Sequence, residues 1–298
     1  MTSFAAGPVT VEVPATSANL GPGFDCLGLA LDLHDTLTAE VADGGLVVEL
    51  EGEGADSLPR DERHLVVRAM RAAFDLLGVE PSGLVLRATN RIPQSRGLGS
   101  SSAAIVGGLA LARELAGADD LDDAALLRLA TRIEGHPDNV APALLGGFVI
   151  SGQDGADAWG VPAPVSPSIA AAAFVPPDGV STERARGLLP ATVPHADAAA
   201  NTGRAALLVA ALGGSSQDLL LATRDFLHQD FREPAMPASL ALVRSLRAEG
   251  HAAVVSGAGP TVLVLTEEDP ATLLGRGPAG WASYALGIDR TGVRRVSP

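Results

Sequence analysis

An α+β fold in two halves is what this sequence predicts, and three observations carry it. Segments with strand and helix character are interleaved without a steady βα alternation, which disfavours a doubly wound parallel sheet. Apolar residues fill 47% of the 298 positions, enough for a sizeable core. Residues 152–167 are rich in Gly, Ala and Pro, and they read as a boundary placed near 155–165.

The elements follow in order. Residues 7–13 (GPVTVEV) alternate as a strand does, and 14–25 (PATSANLGPGFD) read as a Pro/Gly/Asn loop. Residues 27–41 read as extended, and 46–51 (LVVELE) as a strand behind the Gly44-Gly45 turn. Residues 62–77 have helical period and stop at Gly78. A strand at 83–90 leads through PQSRGLGSSS into a helix over 103–115. The next helix opens on the acids between Asp119 and Asp123, favourable at a helix start, and runs to about Ile133. A loop, GHPDN, and the apolar stretch APALLGGFVIS complete the first half. The second half has a strand at 169–175 and a helix start at Ser181-Thr182-Glu183. Helices near 197–212, 215–227 and 237–249 follow, and SGAGPT joins strands at 252–255 and 261–266. Residues 268–298 carry no readable motif.

Charge narrows the chemistry. The net charge is −14, and all 21 basic residues are arginine. Without lysine there is no Walker-type phosphate lysine, no lysine Schiff base and no lysine general base. Nucleotide bias is the ordinary cause, since the chain is also rich in Ala, Gly and Arg. A single cysteine, Cys26, excludes an intrachain disulfide and a multi-cysteine metal site. The N-terminus has no charged leader, and no stretch of 18 apolar residues occurs. The acidic balance argues against nucleic-acid binding. The expectation is a cytoplasmic protein without membrane or nucleic-acid partners. Residues 1–59 hold ten acids and no Arg, whereas 81–113 hold no acid and four arginines, Arg87, Arg91, Arg96 and Arg113. Such an island is where an anionic ligand could dock.

Four loops carry candidate chemistry. In Pro93-Gln94-Ser95-Arg96-Gly97-Leu98-Gly99-Ser100-Ser101-Ser102, glycines permit close backbone approach and the following helix offers unpaired N–H groups. That is a phosphate cradle needing no lysine, or else a plain strand–helix turn with a serine N-cap. Position 102 is Ser, so the dinucleotide fingerprint is absent. In Glu134-Gly135-His136-Pro137-Asp138-Asn139, two carboxylates, an imidazole and an amide fall within six residues. Hard oxygen ligands there suit Mg²⁺ better than zinc, unless Asp138-Asn139 only cap the next helix. Ser256-Gly257-Ala258-Gly259-Pro260-Thr261 allows a tight approach, or a simple hairpin turn. Asn19 and Asp25 in 14–25 could hydrogen-bond a polar ligand, or serve the turn itself.

Taken together and in this order, PATSANLGPGFD, PQSRGLGSSSA, EGHPDNVAP and SGAGPT resemble the GHMP small-molecule kinase superfamily, and within it the homoserine kinases. The resemblance spans roughly 7–266. It implies a two-domain GHMP kinase fold: an N-terminal half, 1–160, like the second domain of ribosomal protein S5 and binding ATP, and a ferredoxin-like C-terminal half, 161–298. The first half would include a left-handed βαβ crossover, against the usual rule. The reaction implied is ATP-dependent phosphorylation of the side-chain hydroxyl of L-homoserine, in threonine biosynthesis, with Mg²⁺. Relatives are often homodimers.

Roles carry over residue by residue. Pro93, Gln94, Ser95, Arg96, Gly97, Leu98, Gly99, Ser100, Ser101, Ser102 and Ala103 match the ATP loop, and Ser100 with Glu134 matches the metal site. Asn19, Asp25, His136, Asp138, Asn139, Gly257 and Gly259 match the homoserine pocket, where Asp25 would pair with the substrate ammonium. Thr182 and Arg186 match the family's STxxAR segment, and Arg232, in HQDFREP, resembles its HQPYR segment. The two arginines would grip the substrate carboxylate in bidentate fashion. Asp138, Asn139 and Arg186 are the candidate catalytic residues. Many superfamily members use an Asp as base, but here the matching place holds Asn139, whose amide takes no proton at neutral pH. The expectation is therefore direct attack without a strong protein base. A GHMP kinase for another alcohol, of mevalonate type, and a catalytically silent nucleotide-binding protein are the alternative readings.

Overall fold

The structure is a computed structural model that describes residues 4–118, 120–155 and 157–297. Its first half contains β1 (Val9–Asn19), β2 (Gly23–Val41), β3 (Gly45–Gly52), α1 (Leu65–Leu77), β4 (Gly83–Asn90), α2 (Ser100–Ala116), α3 (Asp123–Glu134), α4 (Pro137–Leu145), β5 (Phe148–Asp154) and β6 (Asp157–Ala163). The second contains β7 (Ala170–Val175), α5 (Thr182–Arg186), α6 (His195–Gly213), α7 (Leu219–Ala222), α8 (Pro237–Ala248), β8 (Ala252–Val255), β9 (Val262–Thr266), β10 (Ala282–Leu286) and β11 (Arg294–Val296).

Four segments depart from the sequence reading. Residues 14–25 are not a loop: β1 runs on to Asn19, and β2 starts at Gly23. The intervening hairpin needs left-handed backbone at Asn19, Leu20 and Gly21. The segment after His136 is helix from Pro137, with proline at the first helical position, where its missing N–H costs nothing. The Gly/Ala/Pro-rich stretch contains β6, paired with β5 alone. An edge strand tolerates its Pro162 because one row of its N–H groups has no partner strand. The helix read over 215–227 is broken into a short 3-10 turn and the four-residue α7. Asp119, proposed to open α3, lies outside the described residues; Asp122 is the N-cap, accepting from the Ala125 N–H at 2.7 Å.

The first sheet runs β11-β1-β2-β4-β3, with the β5–β6 hairpin on the far end of the long β2. Among the described residues only β3 and β4 pair in parallel, joined through α1. Helices α1 and α2 cover the sheet, α1 burying Val66, Val67, Met70 and Phe74 on one face. The second sheet runs β10-β7-β9-β8 and is antiparallel throughout. Its inner strands are apolar at every position but the terminal Thr266, as a sheet buried on both faces requires. Alternation then sorts the side chains. Ala171, Ala173, Val254, Leu263 and Leu265 join the large core shared with the first half, whereas Ala172, Phe174, Val255, Val262 and Val264 pack with Leu240 and Val243 of α8. The shared core locks the halves together, and the cleft between them is the site. The last strand, β11, returns to the first sheet beside β1, so that sheet draws on both ends of the chain.

Candidate active site

The glycine–serine loop leaves β4 and enters α2 through left-handed backbone at Ser95, Gly97 and Gly99. These glycines are forced by approach as well as by conformation. A Cβ on Gly99 would lie 1.9 Å from the Thr16 hydroxyl, and one on Gly97 would lie 2.2 Å from the Ser256 carbonyl. The loop is laced to β1 and to SGAGPT: the Thr16 N–H donates to the Leu98 carbonyl at 3.0 Å, and the Ser256 hydroxyl to the Gly97 carbonyl at 2.6 Å. Helix α2 begins at Ser100, at the cleft, with no acid of its own in the first turn to compete for its N–H groups and positive end. The third loop therefore shapes the cradle from behind.

Facing the cradle, Glu134 ends α3. Its Oε1 accepts from the Ser101 hydroxyl at 2.6 Å and the Ser102 hydroxyl at 3.0 Å. The hydroxyls bonded to Glu134 are those of Ser101 and Ser102, while Ser100 lines the cleft beside them. His136 Nδ1 lies 2.6 Å from Asp138 Oδ1, at the start of α4. Burial works against charge on this imidazole, but the Asp138 bond and the nearby Asp138 and Glu134 charges prevail over it and Arg186, so its pKa is raised. Asp138 is buried, and Gly28 on β2 makes room: a Cβ there would lie 1.9 Å from the Asp138 carbonyl. Asn139 Oδ1 accepts from the Thr16 hydroxyl at 2.8 Å.

Charged side chains build the other end. Arg186, at the end of α5, grips Asp25 with both guanidinium nitrogens, at 2.6 and 2.9 Å. The two residues expected to meet opposite ends of the substrate thus meet each other: Arg186 lines the cleft, whereas Asp25 lines a second pocket beside His136. Arg232 is only 1% exposed. It donates to the Gly257 carbonyl at 3.0 Å, lies 3.1 Å from His228 Nδ1, and packs over the Phe24 ring at 5.7 Å. Burial, with Arg186 nearby, brings its pKa down to about 10, still charged at neutral pH. Asn19 spends its amide on scaffolding, donating to the Gly257 carbonyl at 2.9 Å and accepting from the Asp25 N–H at 3.0 Å.

One cleft, about 380 Å³ in volume, unites most of these groups: the loop from Gln94 to Ser101, Glu134, His136, Asp138, Asn139, Thr182, Arg186 and Arg232. Asn19 and Gly257 also line it. Pro93, Ser102 and Ala103 lie behind its wall, and Gly259 packs against Met236 instead, 2.4 Å from its Sδ to an added Cβ. Of the four arginines in the basic island, three are engaged by the fold. Arg87 pairs with Glu40 and Glu49, and Arg113 with Asp123. Arg96 gives its guanidinium to the carbonyls of Gln94, Pro176 and Pro177. Sequence reasoning missed Thr16, His228 and Phe24 as supports, although Thr16 and Phe24 sit inside the quoted first motif.

The family models for the GHMP kinases N terminal domain and the GHMP kinases C terminal match residues 64–147 and 198–277. Homoserine kinase of Streptomyces avermitilis is 57% identical over 98% of this chain and 96% of its own, and that of Clavibacter michiganensis 50% identical over 95% and 92%. Among solved structures, homoserine kinase from Cytophaga hutchinsonii superposes with a TM-score of 0.88 at 26% identity, covering 99% of both chains. Mevalonate kinase of L. major shares the fold alone, with a TM-score of 0.71 at 17% identity over 97% and 98%. At this identity, and over nearly its full length, the chain belongs to the homoserine kinases of the GHMP kinase superfamily.

Proposed function

We propose that this protein transfers the γ-phosphoryl group of ATP to the side-chain hydroxyl of L-homoserine, giving O-phospho-L-homoserine for threonine biosynthesis in the cytoplasm. One observation carries the reading: the backbone-built anion cradle and the guanidiniums of Arg186 and Arg232 line one cleft, with Asp25 paired to Arg186 at its edge. A zwitterionic amino acid fits that pair, its ammonium toward Asp25 and its carboxylate toward the two guanidiniums. Mevalonate has no ammonium to share Asp25 with Arg186.

The N–H groups of Gly99, Ser100 and Ser101 hold the phosphates, with the α2 dipole behind them. Glu134 and Ser100 offer hard oxygens at the loop mouth. These two residues would hold Mg²⁺, which would supply neutralisation of the phosphate charge. Transfer through a loose transition state asks the protein mainly for alignment. Arg186 and Arg232 fix the amino-acid end, so the hydroxyl points along the cleft at the γ-phosphorus. Asn139, oriented by Thr16, presents its NH₂ to the cleft, and Asp138 is committed to His136. Neither is placed as a strong base, so the hydroxyl proton leaves late, to phosphate or water. Residues 1–160 supply the ATP cradle, and 161–298 supply the two arginines.

An ADP-release assay with Mg²⁺–ATP and a panel of small alcohols tests this. Turnover with L-homoserine far above that with mevalonate is expected; the reverse order would overturn the substrate assignment.

A further inference from the structure

Beyond the cradle, away from Arg186 and Arg232, the cleft ends in a wall that the phosphate chemistry does not use. Leu37, Leu58, Leu65 and Ala104 give it apolar faces, and Asp35 and His64 are set among them. Both polar residues are buried, 5% and 4% exposed. Asp35 Oδ1 accepts from the N–H groups of Arg91 and Ile92, at 2.7 and 2.9 Å, just ahead of the glycine–serine loop. Its Oδ2 has no hydrogen-bond partner among the described residues, and the residue lines the cleft. Neither ring nitrogen of His64 has a partner among them either. Buried polar groups are normally paired, so this wall is short of a hydrogen-bonding ligand.

A flat heterocycle suits such a wall, its faces against leucine and its edge toward the acid. On the reading of ATP as phosphoryl donor, that heterocycle is the nucleobase, since the cradle fixes where the phosphates lie. We propose that Asp35 determines the choice of nucleobase, its free carboxylate oxygen accepting a hydrogen bond from the exocyclic 6-amine of adenine. A 6-oxo purine would present an oxygen lone pair to the same carboxylate and be rejected. Burial raises the Asp35 pKa to about 6, which leaves the acceptor ionised at neutral pH.

The test is calorimetric titration of the full chain, with Mg²⁺ and without homoserine, using ATP, ITP (6-oxo) and purine riboside triphosphate (no 6-substituent). The unmodified protein should bind ATP about tenfold to a hundredfold more tightly than either analogue, the range for a hydrogen bond to a charged group. Equal affinity for ATP and the 6-deamino analogue overturns the proposal without any variant. Asp35→Asn retains an oxygen for the two loop amides and turns an NH₂ toward the base. The ATP preference over ITP should then collapse or reverse, and undiminished preference in this variant would also overturn the proposal. Turnover separates this from the parent reading: adenine-selective binding without phosphorylation of homoserine sinks the kinase assignment alone. Normal turnover with indifferent nucleotide binding sinks the Asp35 assignment alone.

Discussion

On the proposed function, the two ends of the cleft bind charge by different means. At the phosphate end the partners are backbone N–H groups, a helix terminus and the left-handed glycines that let the loop lie against Thr16 and Ser256. At the amino-acid end they are side-chain charges, Asp25, Arg186 and Arg232, held in ion pairs and over an aromatic ring. The first design depends on shape and is indifferent to the identity of the basic residues. The second depends on guanidinium geometry, which lysine does not reproduce. A chain without lysine loses nothing at either end. The comparison also says how each should fail: the amino-acid end by loss of charge, the phosphate end by added bulk.

The largest effect is expected at Arg232. Arg232→Ala removes the buried cation proposed to face the substrate carboxylate and takes one hydrogen-bond partner each from Gly257 and His228. Truncating such a group costs about 2–5 kcal/mol, so kcat/KM for homoserine should fall by about thirtyfold to several thousandfold. ATP affinity should barely move. Arg232→Lys keeps the charge but not the planar fork, and should recover little. Steady-state kinetics in both substrates checks this, and equal losses for ATP and homoserine would break the division of labour.

Gly99→Ala addresses the other end with a change that carries no charge. The methyl group meets the Thr16 hydroxyl, and φ at this position is +71°. Left-handed strain and the contact together should cost about 2 kcal/mol of stability and raise the KM for ATP more than that for homoserine. Thermal unfolding and nucleotide titration read both. A well-tolerated alanine would show that the loop is not pinned as described.

How far the sequence reveals all this differs between the same two regions. The phosphate end is contiguous, a strand, a glycine–serine run and a helix, and β4 falls where alternation places it. The amino-acid end is assembled from residues far apart: Asp25 and Arg186 are 161 positions apart. No spacing rule joins them, and only the resemblance did. Prolines concealed two elements. Pro137 and Pro142 made the start of α4 look like a loop, and Pro162 with Gly160 made β6 look like a linker. The arginine island was misleading for a physical reason. Arg87 meets acids on neighbouring strands, 38 and 47 positions away, so the local absence of acids says nothing about the local field. Asp35 was invisible because a buried acid on an alternating strand reads like an exposed one.

A pH series adds to the contrast through the His136–Asp138 pair. The folded-state pKa of His136 is raised above the ordinary 6.5, with Asp138 its partner. Its contribution to stability is therefore complete below pH 6.5 and is lost as pH rises through the folded value. Denaturant unfolding of the unmodified protein and His136→Gln should differ most at acid pH within this window and converge on the alkaline side. A gap that widened with pH would contradict the pairing.

The smallest effect is expected where sequence alone points to a large one. Arg96 lies within the glycine–serine loop and looks like a phosphate ligand. Folded, its guanidinium is spent on the carbonyls of Gln94, Pro176 and Pro177, which tie the loop to the chain beyond β7. Its charge sits close to the cradle, but its donors point away from the phosphates. Arg96→Ala should therefore lower stability by about 2 kcal/mol through the lost hydrogen bonds. ATP affinity at low salt should change little, and its salt dependence should remain. A steep loss of affinity that high salt erases would instead assign Arg96 to the phosphates, and the phosphate end could then no longer be described as built from backbone alone.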